Sequence, residues 1–448
     1  TGNPNFVACF STRKKNLAHH EVVWVNGMIG YLLPMRDKQL YQQILGIESP
    51  WRVVDVDLIP MDEEVRVYIQ RKKGVSLSCP QCGKSCAGYD TKQREWRHLD
   101  TCQFKTILVA DIPRTQCPEH GVHQIHVPWA EPGSGFTALF ERLVIDWLKE
   151  ANIKAVSECM GLGWSAVDGI MQRAVKRGLA RRDDTESIGH IGIDETSFQK
   201  RHEYITVVCD HGRNRVLYLA DDRKTTSLNS FYESLSDKQK ASIESASMDM
   251  WPAFINATRK HIPDADSKIS FDRFHVTRMF NDVIDKVRRA EHKLLLSDGN
   301  NSMARSRYDW LKRLGNVSRK RRPDFKALRS IAIKTARAWA IKEHASSLWN
   351  YVSRTWAEKS WKKLLGWMSR SRLPAMVKLA KTIRKHLWGI INAIVLDASN
   401  GKSESMNSRI QKVKARSHGF RNRERFRNAI YFHLGDLNLY PEPKGGTL

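Results

Sequence analysis

The order of strand-like and helix-like segments between Ile188 and Asp272 restricts the folds open to this chain more than any other feature. His190 to Glu195, Tyr204 to Cys209 and Arg215 to Ala220 are short apolar runs rich in β-branched and aromatic residues, which suit a pleated, half-buried surface. Three such runs in succession read as a meander. The polar residues 225–241 read as a helix, Ala246 to Trp251 as a fourth strand and Ile269 to Asp272 as a fifth, with a second helix between those two strands.

Three strands, a helix, a strand, a helix and a strand is the plan of a ribonuclease H-like α/β domain. In that plan the first strand carries a carboxylate at its middle or end and the fourth carries one at its tip. Asp194 and Asp249 stand at those places. The first part of this core is assigned to residues 188–275 and its final part to 391–439, within which the stretch Ser399 to Leu439 begins with a turn at Asn400-Gly401 and continues as a helix bearing Glu404. Residues 276–390 between them are helix-prone, rich in Lys, Arg and Ala, and hold seven of the fourteen tryptophans, so they read as a large all-helical insertion that loops out. Those tryptophans read as core packing rather than as platforms for unpaired bases, and Arg319 to Arg322 as phosphate contacts. Glu195 adjoins Asp194 on a strand and so faces the other way. Asp272 and His275 are secondary candidates for lining the site, and Asp397 and Trp251 read as structural.

Upstream, residues 35–130 are assigned to a zinc-binding domain, of which residues 51–128 read as a small β-rich module with strands at Val53 to Leu58 and Val65 to Gln70. Cys79-Pro80-Gln81-Cys82 and Cys117-Pro118-Glu119-His120 repeat one pattern, each followed by Gly, as in a knuckle where two ligands on a tight turn face one ion. Three Cys and one His are expected to make a closed, structural Zn2+ site, with Cys86, Cys102 and His123 as substitutes that read better as bystanders. Residues 137–180 read as three helices, Ala138 to Glu150, Ile153 to Met160 and Ser165 to Lys176, with Gly161-Leu162-Gly163 as the tight connection of a helix-turn-helix. Ser165 is expected to cap the third helix, and Gln172, Arg173, Lys176 and Arg177 to face DNA. Arg409, Lys412, Lys414 and Arg416 on the last helix are expected to do the same. Residues 1–34 show no regular periodicity; Met35, heading a short amphipathic helix from Asp37 to Leu45, reads as the natural start, which would make 1–34 an upstream extension. Residues 440–448 read as a loose tail.

Charge points the same way. With 74 Lys and Arg against 48 Asp and Glu, the net charge is +26, which favours a polyanionic partner, nucleic acid first. No apolar run reaches the roughly 18 residues that span a bilayer, and no secretory pattern heads the chain, so no membrane partner and a cytoplasmic location are expected. Phosphodiester transfer needs an activated oxygen nucleophile and a stabilised leaving oxygen, and two hard cations about 4 Å apart serve both. A few carboxylates suffice to hold Mg2+ with water and substrate phosphate.

Gly192-Ile193-Asp194-Glu195, Met248-Asp249-Met250-Trp251-Pro252-Ala253, Phe271-Asp272-Arg273-Phe274-His275, and Ser399-Asn400-Gly401-Lys402-Ser403-Glu404 with Asn407 resemble the DDE transposases of the ISL3 insertion-sequence family. Trp96-Arg97-His98-Leu99-Asp100, Cys117 to Gly121 and Val127 to Gly133 resemble that family's zinc-binding N-terminus, so the likeness covers nearly everything after Met35. The resemblance implies a catalytic triad of Asp194, Asp249 and Glu404, two Mg2+ or Mn2+ ions, and double-stranded DNA as partner, both terminal inverted repeats and target. It also implies a bacterial, nucleoid-associated protein, at least dimeric on DNA. Where the family often has Gly-Arg-x-Glu, this chain has Gly401-Lys402-Ser403-Glu404, keeping the basic and acidic characters. Two other readings stand beside it: a domesticated DNA-binding regulator without cleavage, and a nuclease or resolvase that cuts with the same ions but does not join.

Overall fold

The computed structural model describes residues 37–199, 203–222, 224–398 and 401–442, and the backbone of 22–25 and 28–31. It divides into two compact units, residues 1–144 with 440–448, and residues 145–439.

In the first unit, β1 (Val22–Val25) and β2 (Met28–Tyr31) pair as an antiparallel hairpin inside the stretch expected to lack regular structure. The two apolar runs flank Asn26-Gly27, a strong sequence signature for a two-residue hairpin. The expected start at Met35 lies outside the described residues. After α1 (Asp37–Ile44) come β3 (Trp51–Ile59), β4 (Glu64–Arg71), β5 (Leu77–Ser78), β6 (Ser85–Arg97), β7 (Lys105–Cys117) and β8 (Gly121–Gln124). They form one sheet in the order β3-β4-β7-β6-β5, with β8 on β7. Alternation sets its faces: Val65, Val67 and Ile69 of β4 are buried and meet Trp51, Trp96 and Trp129, whose rings pack edge-on at 5.0 and 5.5 Å. The division between the units falls within α2 (Ala138–Glu150).

In the second unit, α3 (Ile153–Met160) starts at Asn152, whose side chain accepts from the Ala155 amide, and ends at Gly161 in the left-handed conformation. The next helix, α4 (Trp164–Ala180), begins one residue earlier than expected, with Gly163 rather than Ser165 at its cap and no side-chain capping bond. Then follow β9 (His190–Gln199), β10 (Glu203–Asp210), β11 (Arg215–Ala220), α5 (Thr225–Glu233), α6 (Asp237–Ser242), β12 (Ser245–Met248), α7 (Pro252–His261), α8 (Ala265–Lys268) and β13 (Ile269–Phe271). The sheet order is β11-β10-β9-β12-β13; the first three strands are antiparallel, and β9, β12 and β13 run parallel.

Helices α9 (Arg273–Ser297), α10 (Arg307–Leu311), α11 (Arg322–Ile331), α12 (Ile333–Ser347), α13 (Arg354–Ser369) and α14 (Pro374–Val395) come next, then α15 (Gly401–Arg416) and α16 (Arg423–Leu434). Residues 276 and 390, the expected limits of the helical stretch, lie inside α9 and α14. This stretch has no core of its own: one buried cluster joins Ile191, Ile193 and Phe271 of the sheet to Trp310, Trp361 and Ile390 of the helices. Asn392 of α14 donates to the carbonyls of Asp266 and Ile269 at 2.7 and 2.8 Å, tying that helix to β13. Trp310 and Trp361 are fully buried, as core packing requires, whereas Trp356 is 59% exposed.

Candidate functional site

The register of the three parallel strands builds the site. Met248 is paired with both Ile193 and Phe271, so the next residue on each strand is an acid: Asp194, Asp249 and Asp272. Adjacent strands lie about 4.8 Å apart, which sets the three in one row across β9, β12 and β13. The sequence carries the matching signal three times, a small residue, an apolar residue and Asp: Gly192-Ile193-Asp194, Ser247-Met248-Asp249 and Ser270-Phe271-Asp272. That repeat ranks Asp272 with the other two acids, above the secondary place given to it from its position alone.

Asp272 is buried and caps α9, accepting from the amides of Phe274 and His275 at 3.1 and 3.3 Å. His275 Nδ1 lies 2.6 Å from Asp249 Oδ1 and 3.0 Å from Asp272 Oδ2. Hydrogen bonds to Asp249 and Asp272 push the imidazole up to about 10, so at neutral pH it is a cation between two carboxylates. Among the described residues no cation bonds to Asp194, which feels His275 only through space. Burial, and then the charge of Asp249, push its carboxyl up to about 7. Asn407 of α15 donates to Asp194 Oδ2 at 2.9 Å and the Glu195 amide to Oδ1 at 2.7 Å, fixing the orientation of the group. Glu404 projects from the first turn of α15, and its carboxyl is raised by partial burial and by the charge of Asp272. The expected three acids therefore share one electrostatic neighbourhood, but the tightest group is Asp249, Asp272 and His275, whose ligand atoms lie within 4.8 Å of one another. Trp251, expected to pack, is 42% exposed beside Asp249.

In the first unit the two knuckles converge. The ligand atoms of Cys79, Cys82, Cys117 and His120 all lie within 4.8 Å of one another, with Cys82 Sγ to Cys117 Sγ at 3.8 Å and Cys117 Sγ to His120 Nδ1 at 3.5 Å. A tetrahedron with Zn–S bonds of about 2.3 Å has S–S edges of roughly 3.8 Å. Gly83 and Gly121, the glycines after the two knuckles, have φ of 72° and 76°, a left-handed turn that a side chain would strain. Cys86 instead donates to the Lys84 carbonyl and lies outside the group.

The residues expected to face DNA divide. Lys176, Lys412 and Arg416 are exposed, Arg416 also donating to the Lys149 carbonyl at 3.0 Å. Arg173 is half-buried. Arg177 is a correction: it is buried and donates to the Leu439 carbonyl, because it lies on the side of α4 where Gly178 meets Leu437. Gln172 donates to Asp168, Arg409 to the Asn214 carbonyl and Lys414 to the Ser197 carbonyl. Of the Arg319 to Arg322 cluster, Arg321 is engaged by Asp309 and Asp324 and Arg322 by the Val317 carbonyl.

Comparison with known proteins adds three family matches. A DDE transposase model of the ISL3 type matches residues 191–430, a helix-turn-helix domain of ISL3 transposases matches 125–175, and a zinc finger of the IS204/IS1001/IS1096/IS1165 transposases matches 77–120. Among individual relatives, the transposase for insertion sequence element IS1557 of Mycobacterium tuberculosis is 27% identical over 417 residues, covering 86% of this chain and 93% of the relative. The transposase for insertion sequence element IS1001 of Bordetella parapertussis is 25% identical over 401 residues, covering 88% and 97%.

Proposed function

Because this chain belongs to the ISL3 family of insertion-sequence transposases, we propose that it cuts and rejoins DNA where β12 and β13 end beside the middle of β9. The observation that carries this reading is the row of Asp194, Asp249 and Asp272, with Glu404 brought to it from far along the chain. The β11-β10-β9-β12-β13 order supports a ribonuclease H-like core, here interrupted between β13 and α15 by the α9–α14 helices.

The donor set fits hard divalent cations. Its members are carboxylate oxygens, and at Asp194 burial and then the neighbouring charge of Asp249 disfavour the charged form, a penalty that a bound cation would relieve. Asp194, Asp249 and Glu404 are the residues proposed to hold two Mg2+ or Mn2+ ions, which would activate the attacking oxygen and stabilise the leaving oxygen. Asp272 offers a further oxygen and positions His275 through its hydrogen bonds. His275, bonded to Asp249 and Asp272, orients the Asp249 carboxylate, and Asn407 holds the Asp194 carboxylate in place. Cys79, Cys82, Cys117 and His120 are proposed to hold a structural Zn2+, all four positions being filled by protein.

For the DNA itself, Lys176 of α4 and Lys412 and Arg416 of α15 are proposed to meet the phosphates of the terminal inverted repeats. Arg173 and Gln172 sit closer to the protein and would act after rearrangement of the contacts they make. Joining two ends in concert calls for at least a dimer on DNA. The test is to incubate the protein with Mg2+ or Mn2+, labelled duplexes bearing the element's own ends, and a supercoiled target. Cut ends joined to the target are expected. Ends bound but never cut would return the regulator reading, and ends cut but never joined the nuclease reading.

A further inference from the structure

Glu404 follows Ser403 directly in the first turn of α15, so whatever fixes Ser403 fixes the carboxylate. Met406, Ile410 and Val413 bury the apolar side of the helix, but apolar packing is not directional and tolerates sliding along the axis. Directional contacts hold the helix as well: Asn407 and Gln411 bond to β9 one and two turns on, and nearest to Glu404 stands Ser403, which is 1% exposed, its Oγ 2.9 Å from His211 Nε2 and 3.4 Å from Cys209 Sγ. The preceding residue reinforces it, Lys402 Nζ donating to the His211 carbonyl at 2.8 Å. His211 is itself held at the end of β10 by its amide, which donates to the His190 carbonyl at 2.8 Å.

Opposite this pair lies Gly192, two residues before Asp194. A Cβ at Gly192 would overlap both Ser403 Oγ and His211 Nε2. A residue without a side chain is therefore what lets α15 approach β9 this closely. The contact thus bridges the strand that carries Asp194 and the helix turn that carries Glu404. A buried hydroxyl–imidazole pair costs desolvation that two apolar groups would not, so packing alone gives no reason for it. Burial holds the His211 imidazole down at about 4, which leaves it neutral and suited to holding a partner rather than to moving protons at the reacting atoms.

We infer that His211 is a positioning residue for DNA cutting: through Ser403 it sets the register of Glu404 against Asp194, with Gly192 as the gap that admits the contact. The inference rests on the reading of Glu404 as an acid that holds catalytic metal. Residues that orient metal ligands typically contribute about 10–100-fold to metal affinity or activity.

The test compares wild type with Ser403→Ala, His211→Ala, His211→Gln and Glu404→Gln in cleavage of duplexes bearing the element's ends, titrating Mg2+ and Mn2+. Thermal unfolding and end binding are measured on the same samples. Ser403→Ala removes one hydroxyl and suits a helix, so it decides the matter if His211→Ala does not fold. Both variants are expected to bind ends as wild type does but to need roughly 10-fold or more Mg2+ for half-maximal cutting, with Mn2+ recovering part of the rate. His211→Gln, whose amide extends to about the position of Nε2, should restore much of the metal response. A wild-type metal requirement in Ser403→Ala and in folded His211→Ala, whatever their rates, would overturn the inference. Unchanged cutting by Glu404→Gln would instead overturn the reading of Glu404 on which it rests.

Discussion

The two candidate metal centres are built in opposite ways. The four groups in the first unit come from two short knuckles of the same pattern, each closed by a left-handed glycine, and their ligand atoms all lie within 4.8 Å of one another. The acidic centre draws on the middle of β9, the ends of β12 and β13 and a helix far downstream, and Glu404 is exposed. A closed set of soft ligands suits an ion that holds a fold, and an open set of hard ligands suits ions that share their coordination with a substrate.

If that contrast is right, removing a ligand should cost the first centre its fold and the second only its chemistry. The largest effect is expected for Cys117→Ser. Structural zinc contributes about 10–16 kcal/mol in small zinc domains, more than the roughly 5–15 kcal/mol of an ordinary domain's stability can spare. Limited proteolysis should find residues 37–144 cleaved and the second unit protected; equal protection of both would break the comparison.

At the acidic centre, Asp272→Asn keeps a good capping residue for α9 and so should fold normally. Cutting should nevertheless fall about 10–100-fold, read from initial rates at saturating DNA. A rate within twofold of wild type would return Asp272 to a purely structural role.

A smaller effect concerns pH. Asp194 is raised from 3.8 in the unfolded chain to about 7 in the fold, so its contribution to stability is present below pH about 4 and is lost as pH rises toward 7. Cation binding needs the ionised form. The gain in Tm on adding Mg2+ should therefore grow between pH 5 and 8, and Asp194→Asn should flatten that dependence. The smallest effect is expected at Cys86, the thiol near the first centre but outside it: Cys86→Ser should change stability by no more than about 0.5 kcal/mol in a denaturant melt.

The two centres also differ in how far the sequence discloses them. The knuckles are legible because their ligands and turn glycines are local: Cys-Pro-x-ligand-Gly needs no knowledge of the fold. Asp194 and Asp249 are legible from strand order, and Glu404 only by resemblance, because its approach to β9 depends on Gly192, Ser403 and His211 meeting across the chain. Position after a strand gives Asp272 only a secondary place, whereas strand register aligns it with Asp194. Arg177 was misjudged because a basic residue on a helix carries no mark of which face is buried, and Leu437 and Leu439 cover that face. The helical stretch read as looping out because composition cannot reveal that Asn392 and Gly389 dock on β13.

The central claim, that the row of acids across β9, β12 and β13 performs the cutting, is tested most directly with Asp249→Asn. Cleavage of the element's ends by wild type and variant is measured in Mg2+ and in Mn2+, alongside binding of the same DNA. The account predicts wild-type binding with cutting abolished in both metals. Equal cutting by the variant, or binding without cutting by the wild type in either metal, would contradict it.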